Sequence, residues 1–301
     1  MTSGNGNLRF ALFGGCDVPR KSTPELFMSA MAVCQKLGIE VEELKFAPCT
    51  GSGIVQGKDQ RFADTLNAST LAMAEDLGMT LMVICSTCQG VLSQTNQRFR
   101  ENPDYLAEIN KGLEDLGLQY KGTAEVKHLM WVFLEHFGLD KLQKMVTRPL
   151  TGLRVAPFYG CYIVRPSSAL GFDEHPERRD SLERVIRAVG AEVVDFPGKK
   201  QCCGYPIIGD NEPNAWAMVG NHTMSAKELG ADVMCTPCPL CHMNLDGVQP
   251  QVAQARETRI GLPIIHLPQM VGLALGMEAW ELGFDRHAVG VQPVLEKIGA
   301  K

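Results

Sequence analysis

The sequence predicts an α/β fold made of two tandem, related α/β domains with mostly parallel sheets. Three observations predict it. Apolar runs of strand length alternate with amphipathic runs of helix length, the order that builds parallel sheets with crossover helices. That order occurs twice, at offsets that stay nearly constant between the halves. In both copies cysteines follow the strands directly, so the cysteine clusters fall at the carboxyl ends of strands, where open α/β sheets bind ligands.

In the first half, Leu8 to Gly15 is a short apolar strand ending at Gly14-Gly15-Cys16. Ser22 or Thr23 caps a helix with Pro24 in its first turn, and Leu26, Ala30, Val33 and Leu37 recur at helical spacing until Gly38. Ile39 to Phe46 alternates like a strand and leads to Ala47-Pro48-Cys49-Thr50-Gly51. A helix over Asp59 to Leu77 closes at Gly78, and the apolar run Met79 to Ile84 delivers Cys85-Ser-Thr-Cys88. The second half repeats the order. Strand Leu153 to Tyr159 ends at Gly160-Cys161, helix Glu177 to Val189 stops at Gly190, and strand Ala191 to Phe196 leads to Gln201-Cys202-Cys203-Gly204. Helix Glu212 to Leu229 stops at Gly230, and strand Ala231 to Met234 delivers Cys235-Thr-Pro-Cys238-Pro-Leu-Cys241-His242.

Cys49 and Cys203 are 154 apart; Cys85 and Cys238, like Cys88 and Cys241, are 153 apart. Further on, Lys127-His128-Leu129 and Phe137-Gly138 align with Ile265-His266-Leu267 and Leu275-Gly276 at an offset of 138. Such agreement indicates an internal duplication. Domains of 1–150 and 151–301 are expected, joined near Thr147 to Gly152, where Pro149 and Gly152 interrupt the periodicity. At 301 residues the chain is long enough for each domain to hold its own core. The helical segment Pro103 to Gly122 has only a shorter later counterpart and reads as an insertion.

Bulk composition narrows the function. With 45% apolar and 21% charged residues the chain is globular, and a formal charge of −5 argues against nucleic acid as a partner. No apolar run reaches the roughly 18–20 residues of a membrane span, and the first ten residues lack the basic-then-apolar pattern of a secretory signal. A cytoplasmic location is expected, with any membrane attachment made through a partner. Eleven cysteines in such a chain point to metal or redox chemistry rather than structural disulfides. Clustered thiolates suit iron–sulfur groups or zinc. A Cys-Pro-Leu-Cys pair also reads as a redox dithiol.

Cys161, then Cys202-Cys203-Gly204 after forty residues, then Cys238-Pro-Leu-Cys241 resembles the CCG-domain family. The phrase from Thr236 to Leu245 resembles its heterodisulfide reductase B-subunit-like members in particular. The resemblance implies a non-cubane [4Fe–4S] cluster held by Cys161, Cys202, Cys203, Cys238 and Cys241. The first half departs from the pattern: read at the Cys49–Cys203 offset, Pro48 stands where the first cysteine of the pair belongs. Cys16, Cys49, Cys85 and Cys88 remain, the four thiolates of an ordinary cubane [4Fe–4S] cluster, with zinc as the other reading. The departure is more similar to the sulfur-oxidising bacterial complexes than to the methanogen enzyme. The resemblance implies thiol/disulfide or sulfane-sulfur redox chemistry in the C-terminal half and an electron relay in the N-terminal half. The implied substrate is a disulfide, thiol or lipoyl-type sulfur compound, and the implied partners are a subunit-C-like ferredoxin and a flavoprotein. The competing class is a non-catalytic electron-transfer subunit, as in CCG-containing anchors of fumarate or succinate oxidoreductases.

Other residues have plainer readings beside sharper ones. His242, directly after a proposed ligand, is a candidate proton donor or a packing residue of the following helix. Gly15, Gly160 and Gly204 let backbone approach a cluster, or simply make tight turns. Cys34 and Cys235 read as core, and His222 as structural. Lys199 and Lys200 read as a solvated turn or as a lure for an acidic substrate.

Overall fold

The computed structural model describes residues 8–15 and 21–300. Cys16 therefore lies outside the described residues. The first half runs β1 (Leu8–Phe13), α1 (Pro24–Leu37), β2 (Ile39–Glu43), α2 (Ile54–Lys58), α3 (Gln60–Asp76), β3 (Leu81–Val83), α4 (Ser86–Glu101), α5 (Pro103–Lys111) and β4 (Val126–His128). It closes with α6 (Leu129–Trp131), a π-helical stretch (Val132–Phe137) and α7 (Leu139–Met145). The second half runs β5 (Arg154–Pro157), α8 (Ser181–Ala188), β6 (Glu192–Val193), α9 (Glu212–Glu228) and β7 (Val233–Thr236). After these come α10 (Pro239–Gly247), α11 (Gln249–Ala255), β8 (Ile264–His266), α12 (Leu267–Ala274) and α13 (Gln292–Lys297).

The α/β class and the parallel sheets are as expected. Each half contributes one four-stranded, all-parallel sheet, ordered β2-β1-β3-β4 and β6-β5-β7-β8. The registers are superimposable. Ala11 faces Leu81 as Ala156 faces Met234, and Val83 faces His128 as Thr236 faces His266. The helices start and stop where local chemistry sets them. Gly38 takes φ +69° after α1, and Asp59 caps α3 by accepting a 2.9 Å hydrogen bond from Phe62 N.

Two features differ from the expectation. A fourth strand in each half, β4 and β8, joins the sheet edge at the aligned Lys127-His128 and Ile265-His266 segments, where periodicity predicts no strand. Both are three residues long and wholly buried, too short for alternation to register. The halves also do not keep separate cores. One apolar cluster joins Phe10, Leu26 and Trp131 to Leu182, Val185 and Met270; a second joins Leu71 and Leu92 to Phe158 and Leu245. A four-stranded parallel sheet must cover both of its faces, and here α1 packs on α12 and α7 on α8, so each copy covers the other.

A buried ion cluster reinforces that contact. Glu135 of the first half receives Lys127 and, from the second half, Arg178, whose guanidinium lies 4.5 Å from the centre of the Trp131 ring. Burial alone would push the Glu135 carboxyl up, but hydrogen bonds from Arg178 and Lys127 hold it down at about 2. A depressed carboxylate stabilises the fold above its unfolded value near 4.5, and that contribution is lost as pH falls toward 2. Glu135→Gln leaves the buried Arg178 without its carboxylate and Lys127 with Glu125 alone, and a denaturant melt at pH 7 should show a loss of about 3–5 kcal/mol. The gap between variant and wild type should narrow as the pH is lowered below 4.5.

Candidate metal centres at the strand ends

The Cys-x-x-Cys motifs are set by how the chain enters a helix. Cys85 is the N-cap of α4 (φ −129°, ψ 122°) and Cys238 the N-cap of α10 (φ −134°, ψ 121°). N-cap and N3 side chains turn toward one another, so Cys88 and Cys241 lie on the same side as their capping partners. The first helical turn also favours negative charge, which suits thiolates.

The loops after β2 and β6 supply the next sulfurs through one shared turn. Gly204 takes φ +93° and donates its N–H to Cys202 Sγ at 3.4 Å; Gly51 takes φ +83° and donates to Cys49 Sγ at 3.3 Å. This corrects the alignment of the first half. Cys49 is the counterpart of Cys202, at the same 153-residue offset as the other pairs, and Thr50 stands where the second cysteine belongs. Pro48 is not the substituted position. The buried Thr50 hydroxyl lies 3.6 Å from Cys88 Sγ, as Cys203 hydrogen-bonds Cys241 in the other half.

The loop after β5 brings the last C-terminal sulfur. Gly160 (φ +74°) precedes Cys161, and a Cβ on it would stand 2.8 Å from Cys241 Sγ, so only glycine lets that backbone pass. Seven of the described sulfurs then form one hydrogen-bonded series: Cys161, Cys202, Cys203, Cys241, Cys238, Cys85, Cys88. A donated hydrogen bond from Cys161, then one from Cys203, holds Cys202 down at about 2. Burial pushes Cys238 up, yet hydrogen bonds from Cys241, Cys85 and Thr87 bring it well below an ordinary thiol. Cys161 and Cys203 are raised by their bond to Cys202, Cys241 by its bond to Cys203, and Cys85 by burial.

The two centres adjoin. The carbonyl of Pro237 accepts three hydrogen bonds from the first half: Ser86 N and Oγ at 3.2 Å each, and His128 Nε2 at 3.0 Å. His128 Nδ1 accepts from Met130 N at 3.0 Å, which leaves Nε2 as the protonated, donating nitrogen. Tyr162 reaches back across the junction; its carbonyl would collide with a Cβ on Gly90 and its hydroxyl with one on Gly53. Both glycines are needed for the loops to interlock.

Several expected residues fall elsewhere. His242 turns away from the cysteines: its ring stacks on His266 at 3.9 Å, and its Nε2 lies 3.1 Å from Ile264 O and 3.2 Å from His287 Nδ1. Burial holds it neutral, well below the ordinary histidine range, so it is not placed to hand a proton to the sulfurs. Lys199 is paired with Glu183 and Asp195, while Lys200 donates to Arg179 O and covers the Tyr159 ring. Cys34 and Cys235 lie in the apolar core, with burial raising Cys34 to about 12. Gly15 takes φ +85°, as its counterpart Gly160 takes +74°. The Cys202-Cys203 turn is held by His222, which the sequence reads as structural, and by Asn244, which sequence reasoning missed. His222 Nε2 contacts Cys202 O at 2.9 Å, and Asn244 Nδ2 donates to Cys203 O at 2.7 Å. Thr87 was missed too, although its place inside Cys85-Ser-Thr-Cys88 marked it as close to both thiols.

The donors suit a sulfur-bound iron group. Five C-terminal sulfurs arrive from three loops, and Gly160 clears the space in front of Cys241. Tetrahedral zinc takes four ligands, fewer than this half presents.

The model of a family described as a cysteine-rich domain, CCG, matches the chain twice, over residues 10–93 and 155–246. The chain belongs to this CCG family. Its relatives include the membrane anchor subunit of the 8-methylmenaquinol:fumarate reductase of Wolinella succinogenes, 35% identical over 93% of this chain and 96% of the relative. Another is the B subunit of the ferredoxin/F(420)H(2)-dependent CoB-CoM heterodisulfide reductase of Methanosarcina acetivorans, 31% identical over 96% and 97%. A heterodisulfide reductase B-subunit-like protein of Archaeoglobus profundus is 28% identical over 90% and 92%. The fold matches the crystal structure of a hypothetical protein from Helicobacter pylori with a TM-score of 0.77 at 19% identity. That match covers 95% of this chain, which spans about half (53%) of the Helicobacter chain.

In the metal-free chain Cys202 should be the first of the five C-terminal thiols alkylated by iodoacetamide at pH 6, and Cys202→Ser should abolish that fast phase. Cys34 and Cys235 should react only once the protein is unfolded, as peptide mapping would show.

Proposed function

We propose that the chain is an iron–sulfur, electron-transferring subunit of a heterodisulfide-reductase-like complex, with its sulfur chemistry in the C-terminal half. The observation that supports this reading is the convergence of Cys161, Cys203, Cys238 and Cys241 on a narrow cavity, with Cys202 bonded to Cys161 and Cys203 beside it. A non-cubane [4Fe–4S] cluster bound there would supply one-electron exchange at an iron able to take a substrate sulfur. The protein's part is positional. Tyr159, Tyr162, Tyr205, Pro206 and Leu240 wall the cavity and keep water from the sulfurs, while Cys161 and Cys202 are only half-buried and Cys161 opens onto the groove outside. A shallow groove formed by Gln94, Tyr162, Arg165 and Pro166 continues outward from Cys161 and offers room for the rest of a disulfide, thiol or lipoyl-type substrate.

In the N-terminal half, Cys16, Cys49, Cys85 and Cys88 would hold a cubane [4Fe–4S] relay. The contact between Cys85 and Cys238 makes this half the short route for electrons to the C-terminal site. Partner subunits, a ferredoxin-like and a flavoprotein subunit, would supply or collect electrons in the cytoplasm. Among the described residues no helix is long and apolar enough to cross a membrane, so membrane attachment would run through a partner. The second reading, a relay without sulfur chemistry of its own, is favoured by the 35% identity to the fumarate reductase anchor subunit.

Anaerobically purified protein should contain iron and inorganic sulfide at both sites. Adding thiols or disulfides to the oxidised protein should change the EPR signal of the C-terminal site. A signal indifferent to every such ligand favours the relay, and stoichiometric zinc without iron overturns both readings. Thr50→Cys, a near-isosteric change, should give the N-terminal site a fifth sulfur and shift its EPR and Mössbauer signature toward that of the C-terminal site. Cys203→Thr should do the converse.

A further inference from the structure

We propose that Thr87, a residue of the N-terminal half, sets the reduction potential of the C-terminal site by hydrogen-bonding Cys238. The inference rests on the iron–sulfur reading of that site. Thr87 lies between Cys85 and Cys88 in sequence, yet its hydroxyl is aimed across the junction, 3.5 Å from Cys238 Sγ. Either atom of that pair has a proton to offer in the free thiol. A metal-bound sulfur has none, so in the loaded site the hydroxyl is the donor.

The geometry fixes this contact. Thr87 is buried, only 6% exposed, in the first turn of α4. One residue earlier, Ser86 clamps Pro237 O through both its N–H and its hydroxyl, and His128 binds the same carbonyl. Pro237 is the neighbour of Cys238 in the chain, so the clamp holds the sulfur at a set distance from the hydroxyl. The contact is one-sided. At the 153-residue offset Leu240 occupies the place of Thr87 and has no hydroxyl to return. Pro239 occupies the place of Ser86 and has no N–H. The N-terminal half thus acts on the sulfur of the C-terminal site, without a matching bond in the other direction from these positions. A hydrogen bond to a ligating sulfur withdraws charge and favours the reduced state, which raises the potential. Thr87 is therefore a positioning and tuning residue, not a catalytic one.

The test is a redox titration of the full chain, read by EPR, in wild type, Thr87→Val and Thr87→Ser, with iron content and melting temperature as controls. The C-terminal signal is identified as the one altered in Cys161→Ser. Thr87→Val should lower the midpoint of that signal and leave the N-terminal midpoint in place, while Thr87→Ser should keep the wild-type value. Should the valine chain fail to load iron, Thr87→Ala removes the same hydroxyl without the bulk, with the same expectation. An unmoved C-terminal midpoint at full iron content overturns the proposal, as does a serine variant that behaves like valine. Wild-type protein without iron would overturn the iron–sulfur reading itself, an outcome distinct from iron present with an unmoved midpoint.

Discussion

In a parallel sheet every strand points the same way, so the chain leaves each strand at the same edge and must return along a helix before adding the next. The thiols depend on that constraint. Cys161, Cys202-Cys203 and Cys238-x-x-Cys241 sit after β5, β6 and β7, and parallel pairing turns these three exits into neighbours although up to 80 residues separate them. Were one strand reversed, its cysteines would open at the far edge. The register adds the finer adjustment, since Ala11 against Leu81 and Ala156 against Met234 place equivalent loops at equivalent heights.

Duplication supplies the second level of organisation. The two halves pack through their helices, α1 on α12 and α7 on α8, and share apolar clusters, so neither half is a finished unit in packing terms. The junction is polar where the cysteine loops meet. Pro237 O draws in Ser86 and His128, while Gly53 and Gly90 make room for Tyr162. Nearby, Glu135 answers Lys127 and Arg178 inside the contact. A buried, fully partnered ion cluster gives little net stability over an apolar one, yet it penalises any slipped docking of the halves.

The halves are alike in backbone and unlike in chemistry. The turn around Cys49-Thr50-Gly51 reproduces the one around Cys202-Cys203-Gly204, down to the glycine conformation and the N–H to sulfur bond. The single exchange of a sulfur for a hydroxyl at Thr50 separates a set of five thiols from a smaller one. The same economy places Thr87 opposite Cys238 where the other half has Leu240.

Much of this was legible in the sequence because it is written in local pattern. Strand and helix alternation, the repeat and the spacing of the cysteines each survive in one dimension, and they determined the fold class, the family and the thiols to watch. Matching cysteine to cysteine sets the first half one residue out of alignment. The turn geometry, with glycine at positive φ, is what equates Cys49 with Cys202. The strands β4 and β8 left no periodic trace in three buried residues. Tertiary structure alone decided which way His242 faces, which partners absorb Lys199, and that Thr87 and Ser86 serve the opposite half. Apart from the i,i+4 pair of Lys199 with Asp195, those are contacts between groups roughly 16 to 151 positions apart. Their formation depends on how two sheets dock, and no local propensity carries that information.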